Sequence, residues 1–422
     1  MIRTNSLGVF YAVLIMFLAS GCGGGSGGGG GGESAGGNNN PPPPPTGEQN
    51  PETTPVAGDI VGATFDWSSH KRFARGSDNW PATWSDDDNQ YAMWGDGGGF
   101  DGSNDSQDPN YTSFGVSKIS GDYNSYVGTN VYGGVNHQCE STLIGKSHGA
   151  PLSINHGVLY TWVTSGSDMH GGFSVFTLYR SDDKGCTWSK LNTAFTSDVT
   201  PPAGDENTDE VAYGGFVQFG KDYQSAIDNY VYVVAVRPTP TSGFFLHVPG
   251  QIMLIRVPRE SIEIRSAYEF FGGVDASGTP TWTTNAMSAK PIVSDVLGVG
   301  TFVQIIYVPQ LKRFVYTNQY GDGSLVVNER TGAQVPAGGI SLLSMAQAKN
   351  IWGPYTEFYR QQFVAPDGHS PTVDLTLFQW NFAPKWFRNP TTNSLDFTMF
   401  FTGTDSNDSL NIINGTFQLS TK

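Results

Sequence analysis

The sequence predicts an all-β protein, a five-bladed β-propeller with long inter-strand loops. Short runs rich in Tyr, Phe, Val and Ile alternate with Gly, Asn, Asp and Pro, and helical periodicity is nearly absent. One type of strand recurs five times at nearly even spacing, and a fixed eight-residue turn pattern follows the second copy. Together these three observations favour a propeller over other all-β folds.

Each of the five repeats combines a turn, an aromatic or β-branched strand and often a closing glycine. The repeats are residues 90–97, 159–166, 230–236, 314–321 and 396–403. Their anchor residues, which are 69, 72, 83 and 82 positions apart, are Tyr91, Tyr160, Tyr232, Val315 and Phe397. Five blades joined by long loops would give this spacing, whereas a pair of β-sandwiches would not predict five copies.

The turn after the second repeat, residues 181–188, matches the pattern Ser-x-Asp-x-Gly-x-Thr-Trp at every fixed position. It resembles the Asp box of sialidases and related propellers. We expect Asp183 to accept hydrogen bonds from backbone donors, Gly185 to take a positive φ and Trp188 to pack between strands. The pattern favours the fold and not sialidase activity, because no arginine triad for a carboxylate can be assigned.

The N-terminal residues predict export and a tether. Arg3 precedes an apolar run over residues 9–18, a signal-peptide pattern too short to span a bilayer comfortably. Residues 18–22 resemble a bacterial lipoprotein cleavage site, so residues 1–22 are expected to be a signal peptide that ends at a lipidated Cys22. An ordinary secretory peptide is the alternative. The expected location is therefore the outer membrane or cell surface, or otherwise the periplasm or the medium.

Residues 23–58 are rich in Gly and Pro and predict a flexible tether, which leaves residues 59–422 for the propeller domain. The formal net charge is −15 and no basic run is present. This argues against nucleic acid, and it limits the expected membrane contact to the N-terminal lipid. A neutral polysaccharide fits better as a partner. A propeller closes its own core without a partner, so a monomer is expected. No cofactor is expected.

Cys139 and Cys186 remain as an even pair if Cys22 carries lipid. In an oxidising compartment they are candidates for a disulfide, and two buried thiols are the alternative. The acidic clusters at residues 86–88 and 101–108 lack the spacing of a calcium loop, and no zinc or redox motif is present. We therefore expect no metal.

Two acids beside tryptophans form the densest group of candidate functional residues. Asp78, Asn79 and Trp80 are consecutive, and Trp94 and Asp96 follow at the end of the first repeat. A glycosidase needs two carboxyl groups that flank the scissile bond, and aromatic rings can stack on sugar faces. This stretch supplies both kinds of group.

The repeat gives a separate reason to single out Asp96, because the equivalent positions are Ser165, Tyr320 and Thr402. The alternative for both acids is a turn role, Asp78 before Pro81 and Asp96 between glycines. Lys146 and His148 lie in a glycine-rich turn before the second repeat and are candidates to hydrogen-bond a sugar. The alternative for these two is a solvated loop.

Several motifs, taken in order, resemble a known bacterial family. They are Asp-Asn-Trp-Pro at 78–81, Trp-Gly-Asp-Gly at 94–97, Gly-Lys-Ser-His-Gly at 145–149, Arg-Val-Pro at 256–258, Tyr-Glu-Phe-Phe at 268–271 and Trp-Gly-Pro-Tyr at 352–355. Over nearly all of residues 60–420 the chain resembles domain of unknown function 4185. The characterised members of that family are endo-D-arabinofuranases.

The resemblance implies hydrolysis of internal furanosidic linkages in D-arabinan, the polymer of mycobacterial arabinogalactan and lipoarabinomannan. It also implies Asp78 and Asp96 as the acid and its partner, with the role of each, the stereochemical outcome and the sugar left open. The alternative function is a non-catalytic surface propeller that captures polysaccharide through Trp80 and Trp94. That reading predicts that at most one acid faces the pocket.

Overall fold

The computed structural model of the chain describes residues 58–103, 105–143, 145–147, 149–165, 175–196, 211–238, 250–295, 303–320, 325–327, 334–336, 342–362, 376–404 and 408–421. The predicted signal peptide, Cys22 and the predicted tether up to residue 57 lie outside these residues, as does His148. In the described part, five antiparallel sheets form a five-bladed β-propeller, and the predicted fold class is confirmed.

The first two blades are four-stranded sheets with strands in chain order, after an N-terminal strand β1 (Ile60–Arg75). The first blade contains β2 (Asp78–Trp84), β3 (Gln90–Gly95), β4 (Gly115–Ser120) and β5 (Val127–Tyr132). The second contains β6 (Leu152–Ile154), β7 (Val158–Ser165), β8 (Val175–Ser181) and β9 (Ser189–Thr196). Each strand is antiparallel to the next, so the chain passes from end to end of the blade at every strand.

The third blade has two additional strands. It contains β10 (Ala212–Phe216), β11 (Tyr230–Pro238), β12 (Gly250–Pro258), β13 (Glu269–Val274), β14 (Pro280–Thr283) and β15 (Pro291–Asp295). Both β13 and β15 pair with β12. Short 3-10 turns lie at Lys221–Tyr223, Arg259–Ser261, Arg265–Ala267 and Ala286–Ser288.

The fourth blade contains β16 (Gln304–Val308), β17 (Arg313–Tyr320), β20 (Leu342–Ala348) and β21 (Thr356–Gln362). A separate hairpin of β18 (Leu325–Val327) and β19 (Gln334–Pro336) lies in sequence between β17 and β20. None of the helices in the described ranges is long and apolar enough to cross a bilayer.

The fifth blade is completed by the N-terminal strand. It contains β22 (Thr376–Phe382), β23 (Ser394–Thr404) and β24 (Asp408–Leu419), and β1 pairs antiparallel with β24 along its length. The last strands of the chain are therefore joined to the segment that leads into β2. This closure brings residues near 76 and residues near 408 together, because Gly76 N–H donates to the Asp408 carbonyl.

The innermost strands of the blades neighbour one another in a ring: β2 contacts β6 and β22, and β16 contacts β10 and β22. A backbone hydrogen bond completes the ring between the second and third blades: Phe216 N–H donates to the Ala150 carbonyl over 2.8 Å. The five strands predicted from the repeat are β3, β7, β11, β17 and β23, which are the second strands of the five blades. The repeat therefore located each blade correctly.

The core lies between adjacent blades and is rich in aromatic rings. Trp162 of the second blade stacks on Phe216 of the third at 5.7 Å, and Trp380 stacks on Phe401 within the fifth at 4.0 Å. Aromatic pairs of this kind contribute about 0.5–1.5 kcal/mol beyond the area that they bury. Because every blade is covered by neighbours on both sides, the inner strands are buried on both faces, and β3 is buried along its whole length.

The Ser181–Trp188 turn between β8 and β9 has the hydrogen bonds expected from its sequence. Asp183 accepts from the backbone N–H of Thr187 over 2.8 Å and from its hydroxyl over 2.7 Å. Gly185 has a φ of 93°, and the Trp188 ring packs edge-on against Phe114 of the first blade at 6.0 Å. The turn lies at the opposite end of the blades from the start of β2.

Candidate active site

Asp78 and Asp96 lie at the same end of the first blade. Asp78 is the first residue of β2, and its partner across the antiparallel pair is Gly95, the last residue of β3. Asp96 follows directly, so the hairpin geometry brings the two predicted acids together. Their charges interact strongly enough to alter the ionisation of Asp78. The two acids stand at the end of the ring from which the innermost strands begin.

The backbone after Asp78 is bulged. The register shifts between Asn79 and Ala82, and Asn79 and Trp80 have φ values of 82° and 62°, a region that non-glycine residues seldom adopt. The Asn79 N–H donates to the Thr402 hydroxyl of the fifth blade over 2.9 Å, which holds the bulge in place. Strain of this kind is commonly concentrated at functional sites.

Asn79 supports Asp78 and does not face a ligand. Its side-chain amide donates to Asp78 Oδ1 over 2.6 Å, and the residue is only 1 % exposed. Because Asn79 is buried, the prediction that it binds substrate directly is corrected: its side chain holds Asp78. A donor on Oδ1 fixes the orientation of the Asp78 carboxyl group.

Asp78 keeps its proton at neutral pH. Burial is the main cause, and the negative charges of Asp96 and Asp408 add to it, so that the pKa of Asp78 rises from its ordinary 3.8 to about 8. The positive charge of Lys146 acts in the opposite direction and is outweighed. A carboxyl group that is protonated near neutral pH is suited to act as a general acid.

Asp96 is paired with a cation. Its Oδ2 accepts from the ammonium group of Lys146, and both side chains are about one-third exposed, at 31 % and 30 %. Lys146 is held by a bridge to β7, in which Thr164 N–H donates to the Lys146 carbonyl over 2.7 Å and the Thr164 hydroxyl donates to it over 2.8 Å. The second blade thus supplies the counter-ion for an acid of the first, and the predicted site residue Lys146 lies in the site.

Close backbone contact between two glycines sets the spacing of the segments that carry the acids. A Cβ on Gly97 would lie 1.5 Å from the carbonyl oxygen of Gly76, so no side chain fits there. The neighbouring Ser77 hydroxyl accepts from the N–H of Gly99 over 2.8 Å, which joins the same two segments. The glycine after Asp96 is therefore required by packing.

Two residues of the site were not predicted from the sequence. Tyr111, in the loop between β3 and β4, precedes a backbone bridge from Thr112 to Gly97 and interacts electrostatically with Asp96 and Asp78. Asp408, the first residue of β24, interacts electrostatically with Asp78 and Tyr111. Asp408 lies just past the end of the fifth repeat. The sequence comparison considered only the position aligned with Asp96 in each repeat. A search that included the few residues after each repeat would have found Asp408.

Trp80 and Trp94 are part of the core. Both are 0 % exposed, and their rings stack on each other at 5.9 Å. The Trp80 indole N–H donates to the Ser77 carbonyl over 3.0 Å, and that of Trp94 donates to the Ser117 hydroxyl over 2.8 Å. The prediction that these rings stack on a sugar is therefore corrected: they pack behind the acids, and no ring face is open to a ligand.

The remaining predicted site residues include the cysteine pair. Cys139 and Cys186 form a disulfide with a Cα–Cα distance of 5.4 Å, which joins the segment after β5 to the turn after β8. His148 and Cys22 are outside the described residues. In the part of the chain that the structure describes, no group of three or more His, Cys, Asp or Glu side chains is arranged to hold a metal ion.

The fold and the site together define a five-bladed β-propeller with a carboxyl group of raised pKa beside an ion-paired one. No family model and no curated protein matches the sequence, so the resemblance to domain of unknown function 4185 remains a prediction. Solved structures match in fold at low similarity, and they belong to proteins with several different descriptions.

A protein of unknown function from Dyadobacter fermentans is 11 % identical with a TM-score of 0.38, over 81 % of this chain and 77 % of that one. A GH43_1 enzyme from Xanthomonas citri, complexed with xylotriose, is 10 % identical with a TM-score of 0.41, over 81 % and 87 %. A Trypanosoma rangeli sialidase is 9 % identical with a TM-score of 0.35, over 81 % and 55 %. Similarity this low does not bear on substrate or mechanism.

Proposed function

We propose that the chain is an exported glycoside hydrolase that cleaves internal furanosidic linkages of D-arabinan or a related neutral polysaccharide. The observation that supports the proposal is the different surroundings of two neighbouring acids at one end of the propeller. Burial and two nearby negative charges raise the pKa of Asp78, and Asp96 is paired with the ammonium group of Lys146. Two carboxyl groups whose surroundings give them opposite roles are the requirement of glycosidic hydrolysis.

In the proposed reaction Asp78 transfers its proton to the glycosidic oxygen as the bond to the anomeric carbon breaks. Asp96 then acts as the anion, either by attacking the anomeric carbon or by taking a proton from the attacking water. In the first case water later releases the sugar from Asp96, with Asp78 now acting as the base. This first route restores the starting protonation of both acids, because Asp78 regains a proton from the water. In the second route Asp78 ends ionised and Asp96 ends protonated, and proton exchange with solvent returns both acids to their starting state.

The choice of substrate class rests on the resemblance to endo-D-arabinofuranases and on charge. A chain with a net charge of −15 would repel an acidic polymer, so a neutral polysaccharide is favoured. The alternative of a non-catalytic glycan-binding propeller relied on Trp80 and Trp94 as sugar platforms. The burial of both rings removes that support.

The export and anchoring of the chain are proposed from the sequence alone, with Cys22 as the lipidated residue and residues 23–58 as the tether. A Cys22→Ser variant should then leave the membrane fraction. If the variant stays with the membrane as the wild type does, lipid at this position is not the anchor.

The experiment is to incubate the chain with D-arabinan and a panel of neutral polysaccharides and to measure new reducing ends. The Asp78→Asn and Asp96→Asn variants should lose at least about 10²-fold in rate while they remain folded. Asp86→Asn is the matched control, because Asp86 also pairs with a lysine, Lys184, but at the opposite end of β2, and its side chain is similarly exposed.

The hydrolase is supported if the wild type and the Asp86→Asn control release oligosaccharides and the other two variants do not. The sizes of the products then distinguish internal from terminal cleavage. The protein would instead be a surface glycan-binding propeller if it retains a polysaccharide without cleaving it and if neither aspartate substitution changes this binding.

A further inference from the structure

One buried side chain binds the segment that follows Asp96. Asn130 lies on β5 and is 4 % exposed. Its side-chain oxygen accepts from Phe100 N–H over 3.0 Å, and its amide group donates to the Phe100 carbonyl over 3.0 Å and to the Gly98 carbonyl over 3.3 Å. Asn130 therefore holds the main chain two and four positions after Asp96.

The same amide group holds the turn after β5. Asn130 donates to the Val135 carbonyl over 2.7 Å, and Val135 N–H donates to the Gly98 carbonyl over 2.9 Å. An amide side chain combines one acceptor oxygen with a nitrogen that carries two hydrogens, so the three carbonyl groups around Asn130 share two N–H donors. The segment after Asp96 and the turn after β5 are thus joined through one residue.

A chain of hydrogen bonds links Asn130 to the residue two positions before Asp96. The hydroxyl of Ser117 on β4 donates to the Asn130 side-chain oxygen over 2.9 Å and accepts from the Trp94 indole N–H over 2.8 Å. Ser117 and Trp94 are both 0 % exposed, so water does not compete for these bonds. Asn130 therefore acts, directly or through Ser117, on both sides of Asp96 in the chain.

The segment that Asn130 holds is also bound to the residue before Asp78. Gly99 N–H donates to the Ser77 hydroxyl over 2.8 Å, and Ser77 is 0 % exposed. Gly99 has a φ of 68°, and a Cβ at this position would lie 2.3 Å from the Asn130 side-chain oxygen. Because the contact is this close, a shift of the segment at Asn130 would be transmitted through Ser77 to Asp78.

We propose that Asn130 is a positioning residue that sets the place of Asp96 relative to Asp78. Its five hydrogen bonds go to the main chain around Asp96 and to Ser117, and not to either acid, so it acts through the backbone. The catalytic meaning of this role rests on the proposed hydrolase function, because the separation of the two carboxyl groups decides how a glycosidase reacts.

The test is an Asn130→Ala variant of the full chain, measured by crystal structures of variant and wild type and by rates on D-arabinan. Without the amide group, the segment after Asp96 loses its hold, and we expect the Asp96 carboxyl group to move by about 1 Å relative to Asp78. A displacement of this size should lower kcat roughly 10²-fold. KM should change little, because Asn130 is buried.

Gln218→Ala is the matched control. Gln218 is 1 % exposed, and its amide group donates to the carbonyls of Pro151 and Phe216 over 2.7 and 3.1 Å, where the second and third blades meet. Thermal melts should show a loss of stability in both variants, whereas kcat of Gln218→Ala should stay near the wild-type value. An equal fall of kcat in both variants would be a general effect of lost packing and would contradict the assignment.

Ser117→Ala is the second variant, and it decides the question if Asn130→Ala does not fold. It removes only the link between Asn130 and Trp94, so we expect a smaller fall of kcat, again with KM little changed. The proposal is overturned if the variant that folds keeps the wild-type kcat or keeps the Asp96 carboxyl group in its wild-type position.

If the wild type cleaves no polysaccharide, the proposed function fails. The crystal structures still decide the role of Asn130, because the position of Asp96 relative to Asp78 is measured without substrate.

Discussion

Asp78 stands directly opposite Gly95 in the β2–β3 pair, one position before Asp96. This relationship explains how two acids 18 positions apart in the sequence come to share one site. Because the hairpin is antiparallel, the start of β2 and the end of β3 coincide at the same end of the blade. The ion pair from the second blade and the carboxylate from the fifth then give the two acids different surroundings.

Replacing Asp78 with Asn should abolish activity yet stabilise the protein at alkaline pH. In the folded chain the pKa of Asp78 is about 8, against an ordinary 3.8, so between these values the folded state keeps a proton that the unfolded state releases. Stability from this site is complete below about pH 4 and is lost as pH rises towards 8. The neutral amide avoids that loss and still accepts the Asn79 bond.

We therefore expect Asp78→Asn and the wild type to have the same Tm near pH 4, and the variant to have the higher Tm at pH 8. The corresponding gain in the free energy of unfolding at pH 8 is on the order of a few kcal/mol. Thermal melts at several pH values measure the difference. A gap between the two proteins that is constant with pH would mean that Asp78 ionises normally in the folded state.

Replacing Lys146 with Met should move the activity profile to higher pH. Loss of the ammonium group removes the influence that lowers the pKa of Asp78, and it leaves the charge of Asp96 without its cation. At pH 6, kcat/KM should fall about ten-fold or more. Lys184→Met is the control, since Lys184 forms a comparable pair with Asp86 at the far end of the blade, and its profile should keep the wild-type shape.

Replacing Asp408 with Asn should move the alkaline limb of the profile to lower pH. Asp408 is one of the charges that raise the pKa of Asp78, so its removal lets Asp78 lose its proton earlier. The expected change is on the order of one pH unit, with little change in rate at the optimum. Rates measured from pH 5 to 10 provide the test. A loss of rate at every pH would assign Asp408 a direct role in the reaction.

Replacing Gly97 with Ala should separate the two acids. The added Cβ would lie 1.5 Å from the Gly76 carbonyl oxygen, so one of the two segments must move. A displacement of about 1 Å at a catalytic group costs roughly 10²-fold in rate. Gly272→Ala is the control, because its Cβ would lie no closer than 3.1 Å to any atom, the nearest being the Thr281 hydroxyl oxygen, with the Thr281 carbonyl oxygen at 3.4 Å. Equal activity in the two variants would contradict the proposed spacing.

The fold was predictable because the second strand of each blade carries the same local pattern. Tyr91, Tyr160 and Tyr232 are examples of anchors whose aromatic strands are bounded by turns in every blade. Local sequence specifies such strands, and their even spacing specifies the number of blades. The pairing of β1 with β24 had no local signal, because it joins residues about 350 positions apart.

The candidate site was only partly predictable for the same reason. Asp78 and Asp96 belong to one hairpin, so local motifs sufficed. Asp408 reaches the site through the closure of the propeller, and Tyr111 reaches it through a loop bridge, neither of which is visible in a motif. Trp80 and Trp94 were misjudged because inner strands are covered on both faces, so an aromatic ring beside an acid need not be exposed.

The most direct test of the central claim is a ¹³C NMR titration of the Asp78 carboxyl group in the wild-type chain, assigned with Asp78→Asn. The claim is that Asp78 holds a proton at neutral pH beside an ion-paired Asp96. It predicts a midpoint near pH 8. A midpoint close to the ordinary value of 3.8 would leave both carboxyl groups ionised at neutral pH and would contradict Asp78 as the general acid.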